Sequence, residues 1–454
     1  MTEKENKMGT MSMGKLLVTM SGPAIVSMLI NALYNIVDSI FVAQIGEDAL
    51  TAVSIVFPIQ MLIICVAVGT GIGINSFMSR RLGAKQKEEA ERAASNGVKL
   101  AVFNWIFFAI IGIFFAGPFV KMFSHDPNIV SYGTTYLTII ASFSLFLNTG
   151  IIVEKIFQAT GNMIVPMITI SISAITNIIL DPILIFGLIG FPKLGIAGAA
   201  IATVFAQFVG MAIGLYILIT KNHAIKFTLR GKIDFSIIKE IYKVGFPSIV
   251  MQSLVSIMIF AMNGILISFS STAVAVLGIY GKVQSFVFMP CFGVNQGALP
   301  IMGYNFGARD KKRMFACYKI GALMSIGIMF VGLLVFQLMP GMLLRMFNAS
   351  PEMMEIGVPA LRAISWCFVP AGFGIITAGL FQATGHGLMS MWGAIIRQFA
   401  GTIPFAYFFG KIYGLHMVWF AFAAAEILGT IYYLIVLKYI NEKTFKKMEC
   451  VTNE

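Results

Sequence analysis

Charge is scarce in this chain of 454 residues: 11% are Asp, Glu, Lys or Arg, whereas 58% are hydrophobic. With a mean hydropathy of +0.87, that balance excludes a soluble globular domain and a disordered chain alike. Cysteine is sparse as well. The five present (Cys65, Cys291, Cys317, Cys367, Cys450) form no CxxC pair, which argues against a zinc or redox centre and reads as small buried apolar residues. The four histidines (His125, His223, His386, His416) stand isolated and no HExxH occurs, so metal-assisted hydrolysis has no ligand set. Every Gly-Lys pair (at 14–15, 231–232, 281–282 and 410–411) lacks the Ser or Thr that completes a phosphate-binding loop. No catalytic constellation and no resident cofactor are expected, and any transport work must draw on an ion gradient. The polar start of the chain has no small-residue cleavage site behind a short apolar core, so a cleaved signal peptide is not expected.

What is present is a series of apolar runs long enough to span a bilayer, roughly 20 residues each. They fall near 16–42, 51–78, 94–116, 131–154, 163–187, 196–220, 238–266, 274–300, 317–340, 356–380, 389–411 and 417–438. Backbone polar groups in a bilayer must be satisfied within the segment, so these are predicted helices. The net charge of +12 is a topology signal, not a nucleic-acid footprint. Basic residues crowd the segments on one side, among them Lys4, Lys7, Arg80, Arg81, Lys221, Arg230, Lys232, Arg309, Lys311, Lys312 and Lys446. The other side holds Lys121, Lys193, Arg345 and Lys411. The positive-inside bias then puts both termini in the cytoplasm.

The two halves repeat in one ungapped register, offset by 224 residues. Phe157-Gln-Ala-Thr-Gly161 returns as Phe381-Gln-Ala-Thr-Gly385, and Pro23, Gln60, Gly83-Ala84 and Pro127 return as Pro247, Gln284, Gly307-Ala308 and Pro351. Six spans per half insert the same way round. The predicted fold is therefore an all-α polytopic membrane protein of twelve transmembrane helices in two parallel six-helix repeats, a construction common among secondary transporters. The expected organisation is an N-terminal lobe over 1–223, a cytoplasmic linker over 224–238 and a C-terminal lobe over 239–454. The Gly69-x-Gly71-x-Gly73 run sits inside an apolar span and reads as a close helix contact, not a nucleotide loop.

Carboxylates inside the spans carry the functional signal, because each costs about 2.5–3.5 kcal/mol on insertion-based scales. In span one, Asn31, Tyr34, Asn35 and Asp38 follow at helical spacing on one face. In span five, Asn177 and Asp181 are one turn apart, and Pro182 frees the carbonyl of Ile178. Span six adds Thr203. At about 1.5 Å per residue, Asp38, Asp181 and Thr203 lie at one level, roughly 6–11 Å below the outer helix ends. Either these groups are interhelical hydrogen bonds, or they hold a proton or sodium as a coupled carboxyl pair. At the 224 offset Asp38 becomes Met262, Asn177 becomes Gly401 and Asp181 becomes Phe405. The second half is thus expected to present an apolar wall, with Met262, Phe405 and Met289 as substrate-cavity candidates or, alternatively, as helix-packing or lipid-facing residues. Among other charges in the spans, Glu154-Lys155 reads as a solvated pair at the end of span four. Arg397 and Glu426 read as a structural pair, and Arg362 has no partner evident from sequence.

Together, Tyr34-Asn-Ile-Val-Asp38-Ser, Arg81-Leu-Gly-Ala84, Asn177-Ile-Ile-Leu-Asp181-Pro182, Gly195-Ile-Ala-Gly-Ala-Ala-Ile-Ala-Thr203 and Gly303-Tyr-Asn-Phe-Gly-Ala308 resemble the multidrug and toxic-compound extrusion (MATE) family, its MepA-like branch in particular. The resemblance covers about residues 12–440. It implies export of small amphipathic, often cationic compounds from the bacterial cell membrane in exchange for protons or sodium, through an outward-opening cavity between two lobes. It also implies cation binding at the positions of Asp38, Asn177, Asp181 and Thr203. The carboxylates that NorM-type members place in their second lobe have no match here: residues 241–266 contain no acid, and Glu355 opens span ten. A monomer that engages no nucleic acid is expected. A lipid-linked oligosaccharide flippase of the same broad superfamily is the alternative, and a basic central cavity would favour it.

Overall fold

The computed structural model describes residues 6–221, 224–228 and 233–448. Lys4, His223, Arg230, Lys232 and Cys450, with part of the expected linker, lie outside the described residues. The first half runs α1 (Met13–Ala43), α2 (Glu47–Gly83), α3 (Lys87–Phe114), α4 (Pro127–Ser142), α5 (Ser144–Ala159), α6 (Ile164–Phe186) and α7 (Ile196–Thr220). The second runs α8 (Phe235–Ile267), α9 (Ser271–Gly307), α10 (Lys311–Leu338), α11 (Pro351–Ser365), α12 (Phe368–Ala383), α13 (Gly387–Ile395), α14 (Ile403–Tyr413) and α15 (Phe420–Ile440). Nine spans are continuous among the described residues, and two are bent pairs, α4–α5 at 44° and α11–α12 at 46°. The remaining span is α13 and α14 joined by a π-helical turn, Ile396–Thr402. Counting that broken span, the described residues hold twelve spans, six per half.

Local chemistry sets the helix starts, and it repeats. Asp126 caps α4 by accepting from the Asn128 and Ile129 N–H groups, with Pro127 in the first turn. Its counterpart Ser350 caps α11 by accepting from Met353 N–H, with Pro351 following. Pro370 near the start of α12 cannot donate to the preceding turn, which permits the bend there. Along α3, Phe103, Ile106, Phe107, Ile110 and Phe114 form an exposed apolar stripe at helical spacing, the surface a lipid-facing helix presents.

The chain divides into two compact units. One is Val26–Ile249; the other comprises the residues up to Ile25 together with those from Val250 onward. The divisions fall inside α1 and α8, close to the repeat-related prolines Pro23 and Pro247. Glycines explain how the ends of α1 and α8 are held. A Cβ on Gly69 would fall 2.7 Å from Ile249 N, and one on Gly293 would fall 2.7 Å from Ile25 Cα. Gly73 and Gly297 admit Gly245 and Ser21 in the same manner. All four relations obey the 224-residue offset. The glycine run of α2 is therefore a close helix contact, as its place within an apolar span predicts.

Candidate functional site

Within the Val26–Ile249 unit, α6 carries Asn177 and Asp181 one turn apart and α7 brings Thr203 against them. All three are buried, at 0%, 0% and 2% exposure. Gly198 permits the approach of α7, since a Cβ there would fall 2.6 Å from the Leu184 carbonyl carbon. The Asn177 amide lies 3.3 Å from Thr203 Oγ1 and 3.4 Å from Asp181 Oδ1. With its oxygen and nitrogen exchanged, it donates to Asp181 Oδ2 at 2.8 Å and accepts from the Thr203 N–H at 3.3 Å, satisfying both ends.

From α1, Tyr34 comes close to Thr203, and Asp38 comes close to Asp181. Asp38 Oδ1 is buried with no protein partner. The structure thus brings Tyr34, Asp38, Asn177, Asp181 and Thr203 together. It leaves out Asn31 and Asn35, which are exposed and bond to each other, Asn35 Nδ2 donating to Asn31 O and Oδ1 at 2.8 Å. The shared face was too broad a criterion. At about 100° per residue the four positions fill an arc of roughly 100°, with Tyr34 and Asp38 at one edge and Asn31 and Asn35 at the other.

Two groups were missed. Tyr136 of α4, 2% exposed, lies near Asp38, Tyr34 and Asp181, with Gln60 of α2 close by. The identity of Gln60 with Gln284 was the available signal for one of them; Tyr136 has Ala360 at its counterpart and offered none. The assembled donor set is carboxyl, amide, hydroxyl and phenol oxygen. Hard cations take oxygen ligands, so Asp38, Asp181, Asn177 and Thr203 fit a sodium ion, and the unpartnered Asp38 oxygen equally fits a proton.

In the other unit, Met262 has no exposed surface. It packs in a core with Leu266, Val276, Tyr280, Phe336 and Phe368, which corrects its candidacy for a substrate wall: in this structure it fills a helix contact. Phe405 packs half-buried on the same core and stacks on Phe409, centroids 5.7 Å apart. Met289 is half-buried on α9. Arg397 and Glu426 do pair, Nη1 to Oε1 at 3.0 Å. Arg362 is exposed and finds a partner the sequence did not reveal, donating from Nε to the Gln337 carbonyl at 3.1 Å. Glu355 is exposed. Glu154–Lys155 departs from expectation, because Lys155 is 6% exposed and not solvated.

A duplicated twelve-span helical protein with a buried carboxyl pair in its first half defines a polytopic membrane transporter class. The MatE family model matches residues 23–183 and again 247–408, once per repeat, and the chain belongs to that family. It is similar to the multidrug export protein MepA of Staphylococcus haemolyticus, 26% identical over 98% of this chain and 97% of that protein. It is also similar to the probable multidrug resistance protein NorM of Thermotoga maritima, 25% identical over 89% and 87%. The fold matches an outward-facing structure of a multidrug resistance MATE family transporter at a TM-score of 0.91, with 24% identity over 99% of each chain.

Proposed function

We propose that this chain exports amphipathic organic compounds, cationic ones foremost, in exchange for a proton or sodium held by Asp38 and Asp181. The contact between these two acids carries the reading. Neutral groups surround them: Tyr34, Tyr136, Asn177 and Thr203. Two carboxylates in contact cannot both keep their charge without a cation or proton between them. Loading and unloading therefore changes the force between α1 and α6, and the Asn177–Thr203 contact links α6 to α7. α1 itself continues into the other compact unit. The relatives named for multidrug export and resistance support the substrate class.

The work is done by the gradient, with no bond of the substrate made or broken. The crowding of basic residues supports cytoplasmic termini, and each chain acts as a monomer. The test is export of a lipophilic cation from proteoliposomes under imposed ΔpH or ΔpNa, with Asp38→Asn and Asp181→Asn. Each variant keeps shape and loses the ionisable oxygen, so gradient-driven export should fall at least tenfold at unchanged reconstitution. Full export by both variants would overturn the reading.

A further inference from the structure

The buried polar groups of the Val26–Ile249 unit do not end at Asp181. On α5, Lys155 is buried beside half-buried Glu154, and its stem lies on Gly71 of α2, where a Cβ would fall 2.7 Å from Lys155 Cγ. Lys155 Nζ donates to Gln158 Oε1 at 3.0 Å, and Asn75 Nδ2 donates to the same oxygen at 3.4 Å. Outward along α5, Asn148 and Ser144 occupy the face of Lys155, at steps of seven and four residues. Between α3 and α2, Asn104 Nδ2 donates to Thr70 Oγ1 at 3.4 Å. Asn148 Oδ1, Ser144 Oγ and Asn75 Oδ1 are buried without protein partners, the kind of oxygens that internal water bridges. From Gln60, close to Tyr136 at the first site, to Gly71 under Lys155 is about 16 Å along α2. Ser144 to Lys155 spans the same length on α5.

The second repeat supplies an internal control. At the 224 offset Ser144, Asn148, Glu154 and Lys155 become Phe368, Gly372, Ala378 and Gly379, while Thr70, Asn75 and Asn104 become Val294, Leu299 and Ile328. The large-on-glycine contact survives with its sides exchanged: Asn295, the counterpart of Gly71, occupies the space a Cβ on Gly379 would take. The packing of this interface thus needs no charge. Yet the first half keeps Glu154 and Lys155 there, against the cost of placing ions in low dielectric.

We infer that Glu154 and Lys155 form a second proton-handling site, reached from Asp38 and Asp181 along the polar face of α5, and that the coupling ion is a proton. The inference rests on the reading of Asp38 and Asp181 given above. A proton leaving that pair is taken up by the Glu154 carboxylate, which becomes a neutral acid next to the Lys155 ammonium. It leaves to water at the end of α2 that carries Arg80 and Arg81, restoring the carboxylate. The charges facing Glu154 and Lys155 are each other; Arg80, further along α2, faces Glu240 and Arg81.

The test uses the full chain in liposomes, with tetraphenylphosphonium as exported probe and a lumenal pH dye as second readout. One variant is Glu154→Gln. The other, Gly71→Asn with Glu154→Ala and Lys155→Gly, installs the second repeat's own packing and so keeps a folded interface. Both should lower ΔpH-driven export and proton movement at least tenfold while binding the probe as the parent does. Undiminished ΔpH-driven export by the triple variant, or export by the parent under ΔpNa alone, would overturn the inference. Asp38→Asn separates the two readings. If it is inactive while Glu154→Gln is active, the inner site is rejected and the outer one stands. If Asp38→Asn is itself active, the outer reading fails.

Discussion

Arg397 and Glu426 form a 3.0 Å ion pair in the unit that lacks the Asp38–Asp181 contact. Arg397 lies in the π-helical turn before α14, and Glu426 is on α15. Their repeat counterparts are Ser173 and Ala202, on α6 and α7, where Ser173 Oγ donates to the Ala206 carbonyl at 2.7 Å. Each half therefore buries a carboxyl near equivalent helix pairs, but in the second half a guanidinium neutralises it permanently.

Breaking that pair one-sidedly should be costly. Arg397→Ala leaves Glu426 buried without its counter-charge and should destabilise the protein by about 3–5 kcal/mol. Replacing both by the first repeat's residues, Arg397→Ser with Glu426→Ala, should recover most of the loss. Thermal unfolding in detergent, run as a double-mutant cycle, measures the coupling. Additive losses would show that the pair is not the stabilising unit.

The α1 polar face should divide in two by function. Tyr34→Phe removes a hydroxyl from the polar groups around Asp38 and Thr203; one hydrogen-bonding group is worth about 1 kcal/mol, equivalent to a several-fold weaker hold on a bound cation. Asn31→Ala and Asn35→Ala remove only an exposed pair that bonds to itself. The gradient needed for half-maximal export should rise several-fold in the first variant and stay unchanged in the other two.

Much of this was legible in the sequence because it rests on identity and spacing. The duplicated register, the twelve spans and the level shared by Asp38, Asp181 and Thr203 follow from hydropathy, offset and rise per residue. Tyr136 was hidden because an aromatic residue in an apolar span has no periodicity to distinguish a site from a core. Met262 misled for a related reason: counterpart position to Asp38 says where the backbone lies, not which way the side chain turns. Lys155 read as solvated because it stands one turn from a loop, and only the glycine opposite, Gly71, lets its stem bury. The bends at α4–α5 and α11–α12 lie within runs whose hydropathy is continuous.

Acid should loosen the start of α8. Asp234 caps it: its Oδ1 accepts from the Ser236 hydroxyl at 2.7 Å and from the Ser236 and Ile237 N–H groups at 3.0 and 3.3 Å. These bonds, with Arg92 nearby, hold its carboxyl below the usual range. A depressed folded value means the contribution is present above the ordinary aspartate range and is lost as pH falls through the lower folded one. Hydrogen exchange over 235–240, corrected for intrinsic rates, should therefore quicken in that acid window. In Asp234→Ala it should already be fast at neutral pH. Equal protection in both proteins at neutral pH would refute the cap.

Met262 gives a prediction in which stability and selectivity separate. Its side chain is buried and belongs to the core that also holds Leu266, Tyr280 and Phe336, so Met262→Ala should open a cavity and cost about 2–5 kcal/mol. A residue without exposed surface offers a substrate nothing to touch, so the rank order of exported dyes should hold even as the yield of folded protein falls. Phe405 differs, being half-buried on the edge of the same core and stacked on Phe409. Phe405→Leu keeps an apolar volume while removing the ring stack, worth about 0.5–1.5 kcal/mol. Resistance profiles of cells expressing each variant, normalised to folded protein, separate the cases. A reordered dye ranking in Met262→Ala would mean that its side chain leaves the core during the transport cycle.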